Sequence, residues 1–353
     1  MRIGILTFHH VVNYGAVMQA YALARYVRGL GHAVETIDYR PAKALAAYEQ
    51  ALFNGNPHEK ENRQRAARIE EFVRWRLSLS PQSFRTHAGF AHLDGRYDTV
   101  IAGSDEIWNL NSIRGFDSAY FLDFAGSAQR IAYAASFGFT NTTGAHREKI
   151  CALLRPFLAI SVRDASSQRI LREECGLTAA KVLDPTLLLD GYDDLAVRPK
   201  ESGFILVYAN CTAAEANFIR RFAEQRGKPV IAVAYPLEGA INRLTLSPEE
   251  WLGHFAAADY VFNGFFHGVV FSILYRKPFT AFASPQKIAK IGDLLNDLGL
   301  SNRIVFTDHL DGPLPPVTLD YAPVEARLAS AVRSSRTFLQ TALAQASACV
   351  VPA

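Results

Sequence analysis

Short apolar runs alternate with segments of helical spacing near the start of the chain. Residues 3–8, 33–39 and 97–102 have the length and composition of buried parallel strands. In residues 17–27, apolar side chains recur every three or four positions, and Gly31 ends this helical segment. The succession strand, turn, helix, strand predicts a βαβ unit of the Rossmann type.

The same alternation continues towards residue 300. A helix start is predicted at Ser247, which would be the N-cap. Pro248 would take the first helical position, and Glu250, three residues after Ser247, would complete a capping box. Charged residues 58–79 keep one apolar face, which favours an outer helix over a nucleic-acid patch. Further strands are predicted at residues 130–137, 159–162, 204–209, 229–235, 260–264 and 277–283, and further helices at residues 213–226, 287–299 and 325–346.

The pattern predicts an α/β fold with two Rossmann-like domains. Residues 1–195 form the first predicted domain and residues 200–315 the second, with a linker near residues 190–202. Residues 316–353 are predicted as a C-terminal helix that returns to the first domain. In such folds ligands bind at the carboxyl ends of the strands and in the cleft between the domains.

Composition narrows the class of protein. Of 353 residues, 49% are hydrophobic and 20% are charged, which is typical of a globular chain and excludes a disordered or fibrous one. A net charge of +3 requires no nucleic acid and is compatible with an anionic substrate. The N-terminal apolar run is too short for a signal peptide or membrane span, and we expect a cytoplasmic protein. No residues have metal-site spacing, and we expect reduced thiols at Cys151, Cys175, Cys211 and Cys349.

His267 is the first candidate for chemistry. It follows the predicted strand 260–264 and begins an apolar helical run, which places it at the carboxyl edge of a parallel sheet. Free backbone N–H groups at a helix N-terminus favour anions there. Gly264 and Gly268 would let the backbone approach a ligand closely. The alternative is a half-buried core histidine.

A second group of candidates follows two strands of the first domain. Trp108 beside an acid and an amide suits a sugar, since its ring would stack on the sugar face. The alternative is a packing tryptophan with Asp105 as a helix N-cap. His9 and His10 end the first strand and are given no catalytic role. The predicted acceptor-binding residues are Asn13, Tyr14, Gly15, Ser104, Asp105, Trp108 and Asn109.

Six segments in order resemble the polysaccharide pyruvyl transferase family: NYGAVMQAYAL, GSDEIWN, RIAYAASFG, ISVRD, VLDPTLLLD and ADYVFNGFFHG. The resemblance implies a GT-B-like fold and transfer of a pyruvyl group from phosphoenolpyruvate, the donor substrate, to a sugar hydroxyl pair as a cyclic ketal, with no cofactor. The acceptor would be a nucleotide-sugar, a lipid-linked oligosaccharide or a polysaccharide. A lipid-linked acceptor would bring the protein to the inner membrane face.

The resemblance also assigns residues. His267 aligns with the family histidine and would transfer protons near neutral pH. Arg163 would hold the donor anion with its forked guanidinium, or else form an ion pair with Asp164 or another carboxylate. Lys290 would contact the phosphate, or else be an exposed helix lysine. The donor-binding candidates are Arg163, Lys290, Gly268 and Asn263.

Three positions depart from the family pattern. Phe265 and Val269 replace a serine and a threonine near His267, and Glu106 stands where glutamine is usual. Two alternative functions therefore stay open. One is a GT-B glycosyltransferase with a nucleotide-sugar donor. Such an enzyme often has an acidic pair late in the second domain to contact the nucleotide, and the late segment SPQKIAKIGD has only Asp293. The other is a non-catalytic protein that binds a sugar phosphate.

Overall fold

The computed structural model describes residues 1–283, 288–308, 310 and 312–349, with residues 288–290 described by their backbone only. The chain divides into two compact units. The first unit comprises Met1–Glu59, Glu70–Leu189 and Ser330–Ala353, and the second comprises Lys60–Ile69 and Asp190–Ala329.

The first unit is built on six parallel strands. These are β1 (Arg2–Leu6), β2 (Ala33–Thr36), β3 (Thr99–Ala102), β4 (Gln129–Ala135), β5 (Ala159–Val162) and β6 (Ala180–Lys181). Their order is β2–β1–β3–β4–β5–β6, so β1 is an inner strand, and its apolar residues are fully buried. The helices that begin in this unit are α1 (Tyr14–Gly29), α2 (Ala42–Leu52), α3 (Glu59–Arg76), α4 (Arg147–Leu154) and α5 (Ala165–Cys175).

The second unit repeats this plan. Its strands are β7 (Ile205–Tyr208), β8 (Val230–Val233), β9 (Ile241–Arg243), β10 (Tyr260–Asn263), β11 (Phe279–Ala283) and β12 (Ile304–Phe306). They are parallel and ordered β12–β11–β10–β7–β8–β9. Its helices are α6 (Ala213–Arg226), α7 (Pro248–Ala257), α8 (Phe266–Leu274) and α9 (Ile288–Leu298). The prediction of two parallel α/β sheets is confirmed.

The last helix, α10 (Ala322–Cys349), belongs to the second unit up to Ala329 and to the first from Ser330 onwards. Within the first unit, Ser335 Oγ accepts a hydrogen bond from the backbone N of Leu183 at 2.9 Å. Leu339 and Leu343 are buried on the same part of the helix. No helix in the described ranges is long and apolar enough to cross a membrane.

The cysteine expectation is wrong for one pair. Cys151 in α4 and Cys175 in α5 form a disulfide, with their Cα atoms 5.1 Å apart. Neighbouring helices bring these residues within the separation that a disulfide requires. The 24-residue spacing between the two cysteines matches no short motif, so the sequence pattern did not reveal the pair.

Candidate active site

The turn after β1 carries the first predicted acceptor residues. Asn13 is exposed and caps α1, since its Oδ1 accepts a hydrogen bond from the backbone N of Ala16 at 3.2 Å. Tyr14 and Gly15 are buried in the first helical turn. Of these three predicted acceptor contacts, Asn13 is therefore the residue that presents an exposed side chain.

Arg163, which follows β5, lies in a buried polar network. Its Nη1 is 2.8 Å from Asp184 Oδ2, and its Nη2 is 3.6 Å from Asp105 Oδ1. Burial lowers the pKa of the guanidinium, but the two carboxylates outweigh burial and the pKa of Arg163 is raised. Ser104 Oγ donates a hydrogen bond to the same Asp184 oxygen at 3.0 Å. The ion pair considered from the sequence exists, with Asp184 rather than Asp164 as its main partner.

This network limits what Arg163 can do. The side chain of Asp184 is fully buried, so its charge depends on the arginine for compensation. A donor anion at Arg163 would have to share the guanidinium with two carboxylates. The donor-binding role of Arg163 stays a prediction. Its structural role, compensation of the buried charge of Asp184, is shown by the ion pair.

The predicted sugar platform at Trp108 is wrong. The side chain is 1% exposed, and its ring stacks on Phe121 at 5.4 Å and packs obliquely against Phe137. Its Nε1 donates a hydrogen bond to the carbonyl of Tyr120 at 2.9 Å. A ring covered in this way has no face to offer a sugar, so the packing alternative describes Trp108.

Asn109 is also turned inwards. Its Nδ2 donates to Glu106 Oε2 at 2.6 Å, and its Oδ1 accepts from Thr140 Oγ1 at 3.1 Å. The glutamate that replaces the family glutamine is thus held by Asn109. Asp105 has a left-handed backbone, with φ of 79°, and its Oδ1 accepts from the backbone N of Glu106. Because turns follow Asp105 in the chain, it caps no α-helix.

A histidine-centred network after β1 was not assigned from the sequence. His9 is buried, with Nε2 2.8 Å from Asp38 Oδ1 and Nδ1 3.2 Å from the carbonyl of Thr7. Arg40 Nε donates to the same Asp38 oxygen at 2.6 Å, and its other nitrogens pair with Glu70. Burial would raise the pKa of Asp38, but hydrogen bonds from His9 and Arg40 hold it well below its usual range. The paired histidines at the strand end were the signal for this network.

In the second unit, His267 lies in the first turn of α8, directly after β10. It is 8% exposed, and its ring meets Phe266 edge-on at 5.2 Å. The N-cap residue, Phe265, makes no side-chain capping bond. The predicted location of His267 at a helix start beyond a parallel strand is confirmed, and its catalytic role stays a prediction.

The glycines around His267 serve internal packing. A Cβ on Gly268 would collide with the side chains of Asn263 and Tyr208, and one on Gly264 would come within 2.9 Å of the Cβ of Ala209. The close approach predicted from the sequence is therefore an approach to the protein's own side chains. Asn263 is fully buried, and its Nδ2 donates to Ser272 Oγ at 2.9 Å.

Phe265, which replaces the family serine, belongs to an aromatic cluster at the carboxyl edge of this sheet. Its ring stacks on Tyr235 at 5.0 Å and lies at the same distance from Tyr208. Tyr208 in turn packs edge-on against Trp251. The polar-to-aromatic change therefore fills the space beside the start of α8 with packed rings. Val269 is fully buried within α8.

Two further expectations concern Lys290 and metals. Lys290 belongs to α9, and its side chain lies outside the described residues. Within the part of the chain that the structure describes, no three His, Cys, Asp or Glu residues converge on a metal-binding geometry.

Comparison with known families decides the identity. The family model for polysaccharide pyruvyl transferase matches residues 13–285, from the cap of α1 to beyond β11. The chain belongs to the polysaccharide pyruvyl transferase family. The match covers the strands from β2 to β11 and includes Arg163 and His267. No curated protein sequence matches this pyruvyl transferase family member.

Solved structures establish the fold type of this pyruvyl transferase family member. A Listeria monocytogenes structure assigned as UDP-N-acetylglucosamine 2-epimerase is 10% identical, covers 97% of this chain and 95% of its own, and gives a TM-score of 0.54. The UDP-N-acetylglucosamine 2-epimerase from Rickettsia bellii is 11% identical over 98% and 96%, with a TM-score of 0.51. Identities this low show the fold alone, which is the predicted GT-B-like pair of Rossmann-like domains.

Proposed function

We propose that this protein transfers the pyruvyl group of phosphoenolpyruvate to two hydroxyl groups of one sugar, with formation of a cyclic ketal. The family match over residues 13–285 carries this proposal. The acceptor belongs to the synthesis of a cell-envelope or exported polysaccharide, and the reaction takes place on the cytoplasmic side of the membrane.

The reaction has a definite balance. One sugar oxygen bonds to C2 of the enol, a proton adds to the methylene carbon, and the carbon–phosphate ester bond at C2 breaks with release of inorganic phosphate. The second sugar oxygen then bonds to C2 and closes the ketal. The two hydroxyls lose two protons: one is matched by the proton that forms the methyl group, and the other leaves with the inorganic phosphate.

His267 is the residue to which we assign the proton transfers. Imidazole is the side chain that most readily both accepts and donates protons near neutral pH. The start of α8 supports an anion beside it, because the first backbone N–H groups of a helix lack partners within the helix. Arg163 and Lys290 remain the proposed cationic contacts for the donor carboxylate and phosphate.

Phosphate release from phosphoenolpyruvate, measured against a panel of sugar acceptors, tests the proposal. We expect release that depends on the acceptor, and a loss of roughly two to four orders of magnitude in His267→Asn. The matched control is His92→Asn, at an exposed histidine in a short 3-10 helix of the first unit. Phosphoenolpyruvate that binds without acceptor-dependent release would instead favour a non-catalytic binding protein, and turnover of a nucleotide-sugar donor would favour a glycosyltransferase.

A further inference from the structure

Arg114 in the first unit is a partly buried cation without an acidic partner. Its Cζ lies 3.7 Å from the centroid of the Phe8 ring, and its Nη1 donates to the hydroxyl of Tyr48 in α2 at 2.5 Å. Among the residues that the structure describes, no carboxylate lies within ion-pair distance of Arg114. A desolvated charge is costly unless an opposite charge compensates it.

Lys43, also in α2, brings a second positive charge to the same loop. A Cβ on Gly115, the neighbour of Arg114, would lie 3.5 Å from the Nζ of Lys43. Unlike Arg114, Lys43 is exposed, and no ion pair of this lysine is found in the described part of the chain. An anion beside this loop would be attracted by both positive charges.

His10 supplies a third group. Both of its ring nitrogens are buried and have no hydrogen-bond partner within the described residues. Burial lowers the pKa of His10, as do the neighbouring His9, Arg40 and Arg114, and these effects outweigh Asp38, which raises it. At neutral pH the ring is therefore neutral and keeps one N–H donor, for which no described residue provides an acceptor. A buried donor without an acceptor costs free energy, so its persistence indicates a ligand.

We propose that Arg114, Lys43, His10 and the hydroxyl of Tyr48 bind a phosphate or diphosphate group of the acceptor substrate. The forked guanidinium matches phosphate oxygens, the ammonium adds charge, and the imidazole and phenol each donate one hydrogen bond. The acceptor is then a phosphate-bearing sugar, either nucleotide-linked or lipid-linked, and not a finished neutral polysaccharide. The acceptor assignment rests on the proposed function, whereas the anion site does not.

Titration calorimetry with inorganic pyrophosphate tests the anion site. Arg114→Leu should weaken the affinity for pyrophosphate about ten- to a hundredfold, as expected for loss of a charge-assisted contact. His10→Phe, which keeps the ring volume, should weaken it about tenfold. Arg155→Leu is the control, because Arg155 is an exposed arginine at the end of α4. Circular dichroism checks that each variant is folded. Absent pyrophosphate binding, or equal affinity in the parent and both site variants, would overturn the site.

Substrate assays then test the acceptor assignment. UDP-glucose and a polyprenyl-diphosphate disaccharide in detergent should each compete with pyrophosphate or accept pyruvate. The compound that binds more tightly or is pyruvylated faster identifies the carrier. A neutral disaccharide should be a far poorer acceptor. The affinity for phosphoenolpyruvate should be unchanged in Arg114→Leu; an equal loss would make this a donor site and overturn the assignment. If no acceptor is pyruvylated while pyrophosphate binding still requires Arg114, the anion site stands and the proposed function fails.

Discussion

At the scale of single residues, Arg163 and Asp184 illustrate how a residue predicted to bind a ligand also supports the fold. The pair is buried at 2.8 Å, and Asp184 has no exposed surface. We predict that Arg163→Met lowers the free energy of unfolding by about 3–5 kcal/mol, because it leaves an uncompensated buried carboxylate. Urea denaturation followed by circular dichroism measures this loss.

The double variant Arg163→Met with Asp184→Asn should recover part of that stability, since the buried charge is then gone. Comparison of the two single variants with the double variant separates the interaction energy of the charge pair from the effect of side-chain packing. Unchanged stability in Arg163→Met, with a weakened affinity for phosphoenolpyruvate alone, would show that the arginine acts on the donor and that Asp184 does not need it.

Trp108 gives a second prediction at this scale. Trp108→Ala should lower the free energy of unfolding by about 3–5 kcal/mol, as expected for a large ring removed from a packed core. Trp75→Ala is the matched control, because Trp75 is 81% exposed, and its effect on stability should be small. If Trp108→Ala folds with parental stability and loses only acceptor affinity, the packing role is wrong.

His10 gives a pH prediction. Burial holds the pKa of His10 in the folded state well below the usual value for histidine. Below that value the unfolded chain binds a proton at His10 that the folded chain does not bind, so stability falls as the pH drops from about 7 towards 5. The free energy of unfolding, measured by urea at several pH values, should fall less steeply in His10→Phe. Burial also lowers the pKa of His32 and His254, so some slope remains. Equal slopes in parent and variant would contradict the account.

At the scale of elements, α8 depends on Gly268. Gly268→Ala should lower the free energy of unfolding by about 1–3 kcal/mol, because its Cβ would collide with Asn263 and Tyr208 in a packed interior. Gly29→Ala in α1 is the control: a Cβ there meets nothing within 4 Å, and alanine favours the helix. Thermal or urea denaturation compares the two. A Gly268→Ala variant as stable as Gly29→Ala would show that α8 is loosely packed.

The sequence predicted elements best where local chemistry defines them. The capping box predicted at Ser247 and Glu250 is present at the start of α7. The three-residue strands β9 and β12 and the two-residue strand β6 were missed, because runs so short show no periodicity. Helices α2, α4 and α5 were also left unassigned, although Asp164 and Gly176 provide end signals for α5.

The candidate site was predicted less completely than the fold, because its contacts join distant positions. The pairing of Arg163 with Asp184 spans 21 residues, and that of Ser104 with Asp184 spans 80. The proximity of Arg114 to Tyr48, 66 residues apart, left no local pattern either. Trp108 was misassigned for the same reason, since the rings that cover it come from elsewhere in the chain. Local spacing identifies the sheet edges, and only the fold shows which side chains are already occupied.

At the scale of the whole molecule, each unit has a parallel sheet of six strands. His10 lies beyond the carboxyl end of β1, and His267 lies beyond that of β10. Such edges are where α/β sheets bind ligands. The family match covers five of the six strands of each sheet. The family match supports a transferase, and we propose that His267 and the acceptor-phosphate group each act at the carboxyl edge of their own sheet.

The most direct measurement is mass spectrometry of the acceptor after incubation with phosphoenolpyruvate. We expect an acceptor that gains the mass of pyruvate less one water, and release of an equal amount of inorganic phosphate. The carbon NMR spectrum of the product should show a ketal carbon bonded to two sugar oxygens. The product should form at a greatly reduced rate in His267→Asn. An acceptor that gains a hexose from a nucleotide-sugar, or a parental rate of ketal formation in His267→Asn, would contradict the account.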